Sequence, residues 1–113
     1  MQKGDVFWAD LNPTVGSEIN KTRPVVIVSN NISNQHSETV TILPITSATA
    51  KVYPFEVFIS AGIAGIKNDS KIKANQIRTI DKQRIKQFLG SLPTATLKAI
   101  DKAMAVHLDL KLQ

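Results

Sequence analysis

Val25-Val26-Ile27-Val28 places four β-branched residues in a row directly after Arg23-Pro24. Branching at Cβ stiffens the side chain and suits a pleated, packed surface, and so short a run makes no convincing helix. It predicts a buried strand over 23–30, and its neighbours read the same way. GDVFWADL (4–11) is rich in β-formers and stops at Asn12-Pro13, which is turn chemistry. ETVTILPI (38–45) sets Val40 and Ile42 against Thr39 and Thr41, the alternation of a half-buried strand. YPFEVFIS (53–60) is a fourth strand, with Pro54 at its edge or start. KIKANQIRTI (71–80) alternates as a fifth. NNISNQHS (30–37) reads as a polar turn and AGIAGIKNDS (61–70) as a loop.

The C-terminal third changes period. Asp81 can cap a helical turn over KQRIK, with Ile80 and Ile85 as a hydrophobic staple, and Gly90 ends or bends that piece. From Thr94 onward Leu97, Ile100, Met104 and Leu108 recur at helical spacing, predicting a final amphipathic helix. The fold class is therefore mainly β with a C-terminal helix (α+β), a compact and mostly antiparallel barrel or sandwich. Residues 1–113 form one domain, without internal repeats or linkers.

The composition, 42% hydrophobic and 20% charged, is that of a globular protein. Asp5 and Asp10 interrupt the N-terminal apolar segment, so no secretory signal is expected, and no apolar run approaches the roughly 18–20 residues of a membrane helix. The absence of cysteine removes disulfides and thiolate metal sites and points to the cytoplasm. With 14 basic against 9 acidic residues, the net charge of +5 suits a nucleic acid or an acidic protein partner.

His36 and His107 lie far apart without metal-ligand spacing, and no phosphate-binding glycine loop is present. No metal and no cofactor are expected. Metal-free phosphodiester transfer is among the few enzymatic options left. It needs a proton acceptor, a proton donor and cationic support for a crowded phosphorane. The planar fork of arginine grips two phosphate oxygens at once. Arg23 stands at a strand mouth, where Pro24 holds it extended. Ser17 and Thr46 offer hydroxyls where strands meet loops. Each also has a structural reading: Ser17 as a turn cap, Thr46 as a strand end, Arg23 as a surface ion pair.

Three segments in order, GDVFWADLNPTVGSEINKTRPVVIVSN, ILPITSA and KANQIRTIDKQRI, resemble the MazF/PemK/Kid family of messenger-RNA interferases, and the similarity runs on into AIDKAMAVHLDL. The resemblance implies an SH3-like antiparallel barrel of the PemK/CcdB type with a C-terminal helix. It implies the toxin of a type II toxin–antitoxin pair, a homodimer that cuts single-stranded RNA at short sequences without metal. The products would be a 2′,3′-cyclic phosphate and a 5′-hydroxyl. The implied partner besides RNA is an acidic antitoxin of MazE/PemI type, in an inhibitory complex that binds operator DNA.

Residue by residue, the family's catalytic arginine falls on Arg23, its threonine on Thr46 and the serine of its GSE loop on Ser17. Glu18 is either a proton acceptor or base contact, or a partner for Lys21 or Arg23. Gln76 matches a base-contacting position, with Asn75 beside it, while Arg78 and Asp81 read as structural. Kid-like relatives carry an acid and an arginine where this chain has Asn75 and Lys73, which moves the chemistry to Arg23 and Thr46 and leaves Lys73 as an RNA contact. Tyr53, the only tyrosine, is either a barrel-rim aromatic or a platform for a base. Two rival readings share the fold: a CcdB-like gyrase-binding toxin and a non-catalytic RNA-binding barrel.

Overall fold

The computed structural model describes residues 1–111. Seven strands and two helices follow one another: β1 (Asp5–Asp10), β2 (Thr22–Ile27), α1 (Asn31–His36), β3 (Thr39–Thr46), β4 (Glu56–Ile59), β5 (Ser70–Lys73), β6 (Arg78–Asp81), β7 (Ile85–Ser91) and α2 (Thr94–Leu108). All strand pairs are antiparallel, in the order β4-β5-β3-β2-β1-β7. The long β3 serves two partners on one side: its first half pairs β6 and its last residues pair β5.

The β-branched run is buried on both faces, as its composition requires. Val26 and Val28 enter a larger core with Leu43, Ile45, Ile72 and Ile100, under α2. Val25 and Ile27 enter a smaller core with Leu11, Val40, Ile42 and Ile80. The terminal strands β4 and β7 are not hydrogen-bonded to each other. Instead the 63–65 turn presses on β7 through glycines. A Cβ on Gly65 would lie 2.4 Å from the Leu89 carbonyl oxygen, and one on Gly90 2.7 Å from the Ala64 carbonyl carbon. Backbone contact thus gives the sheet a barrel-like shape that hydrogen bonds leave open.

Three expectations change. Residues 31–36 form α1 rather than a turn, because the Asn30 side chain accepts the Ser33 amide at 2.8 Å as an N-cap. The strand expected over 71–80 breaks at a 3₁₀ turn, Ala74–Gln76, which buries Ala74 and separates β5 from β6. The helical turn after Asp81 is a single 3₁₀ turn, Lys82–Arg84, capped by the Asp81 carboxylate on the Gln83 amide at 2.8 Å. Beyond it lies β7, an edge strand that pairs β1 with two irregularities. Two bulges and an exposed outer side hid its alternation. Helix α2 begins at Thr94 and buries Ile100, with Leu97 and Met104 packed beside it, whereas Leu108 is exposed. No helix among the described residues is long and apolar enough to cross a membrane.

Candidate active site

Register builds the site. Ala9 faces Arg23 across β1 and β2, and Thr46 faces Lys71 across β3 and β5. The β2–β3 pairing runs from Ile27 with Ile42 to Val25 with Pro44 and stops two residues short of Arg23 and Thr46, which lie at neighbouring strand ends. Directly opposed residues share a sheet face. Thr46 and Lys71 therefore share one face, and Arg23 stands at the end of the strand next to theirs.

The loop between β1 and β2 leads into Arg23. Its base is closed by the Leu11 amide on the Lys21 carbonyl at 3.1 Å and the Lys21 amide on the Asn12 side chain at 3.1 Å. Arg78 donates to the Leu11 carbonyl at 3.2 Å, and Arg84 donates to the Asp10 carbonyl at 3.2 Å and to the Asn12 carbonyl. Arg78 and Arg84 are thus spent on holding backbone. Arg23 differs: its Nε donates to the Asn20 carbonyl at 2.9 Å, and among the described residues neither terminal nitrogen has a protein partner or a carboxylate nearby. The guanidinium is aimed by one bond and keeps its fork open.

Ser17 and Glu18 sit exposed on the loop. Glu18 pairs with neither Lys21 nor Arg23. One of its carboxylate oxygens accepts the Val15 amide at 3.0 Å. Gln76 reaches the same loop from the 3₁₀ turn, accepting the Ile19 amide at 3.3 Å and donating to the Ser17 carbonyl at 3.5 Å. Asn75 is half-buried, and its Oδ1 is a buried acceptor with no protein partner. Thr46 Oγ1 accepts the Ala48 amide at 3.3 Å.

On the far side of Thr46 the cations are occupied. Glu56, its side chain wholly enclosed, holds Lys71 at 3.1 Å through one oxygen and Lys73 at 3.1 Å through the other. It also accepts the Tyr53 amide at 3.0 Å. Burial alone would raise the Glu56 carboxyl, but the Tyr53 amide and the two ammoniums outweigh it and hold the group below its ordinary range. Lys71 further donates to the Lys51 carbonyl at 2.7 Å and lies 5.9 Å from the centre of the Tyr53 ring. That ring stacks on Phe55 at 5.3 Å. Lys73, expected at RNA, thus shares a single carboxylate with Lys71, which leaves the pair a net positive charge.

Sequence reasoning missed a cleft of about 430 Å³ that opens beside Arg23 and Thr22. Trp8, Pro24, Ser47, Lys67, Asn68 and Gln87 lie in its wall. The exposed Trp8 pairs with Pro24 in the step next to Ala9 and Arg23, a juxtaposition that only the β1–β2 register reveals. Tyr53 lies outside this wall; His36 is exposed at the end of α1, and His107, exposed at the end of α2, lies 6.5 Å from the Phe55 ring that stacks on Tyr53.

A seven-stranded, barrel-like β fold with a C-terminal helix, and an open arginine and a threonine at neighbouring strand ends, defines the class. The chain belongs to the PemK-like, MazF-like toxins of type II toxin–antitoxin systems, whose family model matches residues 2–108. It is 41% identical to endoribonuclease MazF9 of Mycobacterium tuberculosis, over 97% of this chain and 98% of that protein. It is 40% identical to endoribonuclease EndoA of Bacillus subtilis, over 97% and 96%. A solved endoribonuclease in complex with its cognate antitoxin, from a mycobacterial species, superposes with a TM-score of 0.82 at 26% identity, covering 100% of this chain and 99% of its own.

Proposed function

We propose that this toxin is an endoribonuclease that cuts single-stranded messenger RNA at short sequences without a metal ion. The ribose 2′-oxygen bonds to the adjacent phosphorus as its proton is taken up. The bond from phosphorus to the 5′-oxygen breaks, and that oxygen receives a proton. A 2′,3′-cyclic phosphate and a 5′-hydroxyl result, and no co-reactant is consumed.

The observation that carries this reading is the open fork of Arg23, at the end of the strand neighbouring the one that ends in Thr46. As the phosphorane forms, negative charge grows on its equatorial oxygens, and a pre-aimed guanidinium stabilises them more than it stabilises the ground state. Thr46 orients the same phosphate through its hydroxyl. Ser17 and Glu18 enter from the loop, Glu18 as proton acceptor through the carboxylate oxygen that does not hold Val15. Gln76 and Asn75 contact bases. Gln76 can exchange its long 3.5 Å bond to Ser17 for a base edge, and the unpartnered Asn75 oxygen can accept an exocyclic amine. Tyr53, exposed at the surface, offers ring area to another base. We assign Lys73 to the Glu56 ion pair, since reaching a phosphate would require leaving that partner.

The active form is a homodimer in the cytoplasm, and exposed Phe58 and Phe88 supply apolar surface for association. An acidic antitoxin of MazE/PemI type silences it by crossing the basic RNA groove, drawn by the net charge of +5. That complex binds operator DNA. Incubating the purified protein with single-stranded RNA in excess chelator tests the chemistry. Cleavage should persist, with 5′ ends that polynucleotide kinase labels directly and 3′ ends that resist phosphatase until the cyclic ester is opened by acid. Loss of cleavage on chelation, or 3′-hydroxyl products, would contradict it.

A further inference from the structure

Apart from Arg23, the residues lining the cleft beside it have no part in the chemistry above. The cleft opens on the larger-core side of the sheet, since Trp8 and Pro24 alternate with Ala9 and Val25 of the smaller core. Its volume of about 430 Å³ falls within the roughly 300–1,000 Å³ of pockets that accept small organic groups. We infer that this cleft is a nucleotide subsite, in which a base next to the scissile phosphate stacks on Trp8. The inference rests on the ribonuclease reading and extends it to a further substrate contact.

The wall chemistry supports a nucleotide. Trp8 is 36% exposed, which leaves indole surface for a ring, and Pro24 adds an apolar border. Asn68 and Gln87 each present both a donor and an acceptor, the groups that a base edge demands. Lys67 and Arg23 are the cations of the wall, and no carboxylate lines it. A strand whose phosphate is held by Arg23 has its next nucleotide within reach, because Arg23 and Trp8 line the same cleft. An acidic antitoxin segment would also meet the two cations. The paired amides and the continuity with Arg23 favour RNA.

Trp8 is the only tryptophan of the chain, so its emission reports on this cleft alone. The full-length toxin is titrated with a 2′-O-methyl copy of an oligonucleotide that it cleaves or, should none be cleaved, with random-sequence single-stranded 2′-O-methyl RNA. Emission should fall saturably, and acrylamide access to Trp8 should fall with it. Trp8→Ala should raise KM roughly 5- to 100-fold, the size of one base–aromatic contact, while kcat changes little. Lys67→Gln should weaken binding more at low salt than at high salt. RNA binding that leaves Trp8 emission and acrylamide access unchanged would overturn the subsite, as would a folded Trp8→Ala variant with wild-type KM. Quenching by an acidic antitoxin peptide but not by RNA would also overturn it. The emission test needs no substitution, so a misfolded variant does not blunt it. Cleavage without quenching refutes the subsite alone, whereas quenching without cleavage refutes the nuclease reading and leaves the subsite standing.

Discussion

Thr46 stands between two cations of opposite circumstance. On one side Arg23 keeps both terminal nitrogens without a protein partner among the described residues. On the other, Lys71 is bound by Glu56 and the Lys51 carbonyl, and Lys73 shares the same carboxylate. Lys71 and Lys73 are drawn to one carboxylate that lost its water. The charge on Arg23 stays available because one carbonyl aims it without neutralising it. Net charge counts the three alike. Only their partners show which one keeps its donors free among the described residues.

The sharpest way to break this comparison is to remove the open cation. Arg23→Ala should slow cleavage by about 2.7–4 kcal/mol, roughly a hundred- to thousand-fold. Because Arg23 makes a single side-chain bond at the surface, unfolding free energy should stay within about 0.5 kcal/mol of wild type. Denaturant melts alongside single-turnover rates check both halves. A variant that unfolds readily would make Arg23 as structural as Lys71.

The converse substitution acts on stability. Glu56→Ala leaves two ammoniums facing each other across a buried position. The loss should be about 3 kcal/mol, the low end for a broken buried pair, because Lys73 at 22% side-chain exposure can turn to water. The sign with pH follows from the lowered Glu56 carboxyl. Its stabilisation is present above the unfolded value near 4.5 and disappears as pH falls through the lower folded value. Melting temperature should therefore drop more steeply with acid in the wild type than in Glu56→Gln. Parallel acid profiles for the two proteins would remove Glu56 from this role.

The smallest expected effect belongs to Gln76, whose bonds to the loop are long. Gln76→Ala should cost about 1 kcal/mol in kcat/KM and relax base preference at one position of the cleaved motif. Sequencing the 5′ ends of cleaved RNA compares the motifs. An unchanged motif with a uniformly lower rate would leave Gln76 only its hold on Ile19 and Ser17.

The doubly buried β2 and the final helix were legible because four β-branched residues and a 3.6-residue period are local signals. Helix α1 was missed although its cap, Asn30, was in view, since polar residues around Ile32 gave no periodicity. Strand β7 was missed because its pairing with β1 is irregular. At the site, proline next to Arg23 marked the arginine, and the family resemblance marked Thr46 and Ser17. What the sequence could not show is partnership. That Glu56 occupies Lys71 and Lys73 follows from the β4–β5 register, which sets Glu56 against Lys73. That Trp8 and Arg23 line one cleft shows only in the assembled fold.

The central claim is that Arg23 and Thr46 act on one phosphate as a unit, and a double-mutant cycle on the chemical step tests it most directly. Single-turnover rates of wild type, Arg23→Ala, Thr46→Ala and the double variant are measured on one oligonucleotide with enzyme in excess. Residues that serve one transition state as a unit lose their benefit together, so the double variant should be within about threefold of the slower single variant. Rate losses that multiply across the two positions would contradict the account, as would an Arg23→Ala enzyme that cleaves at nearly the wild-type rate.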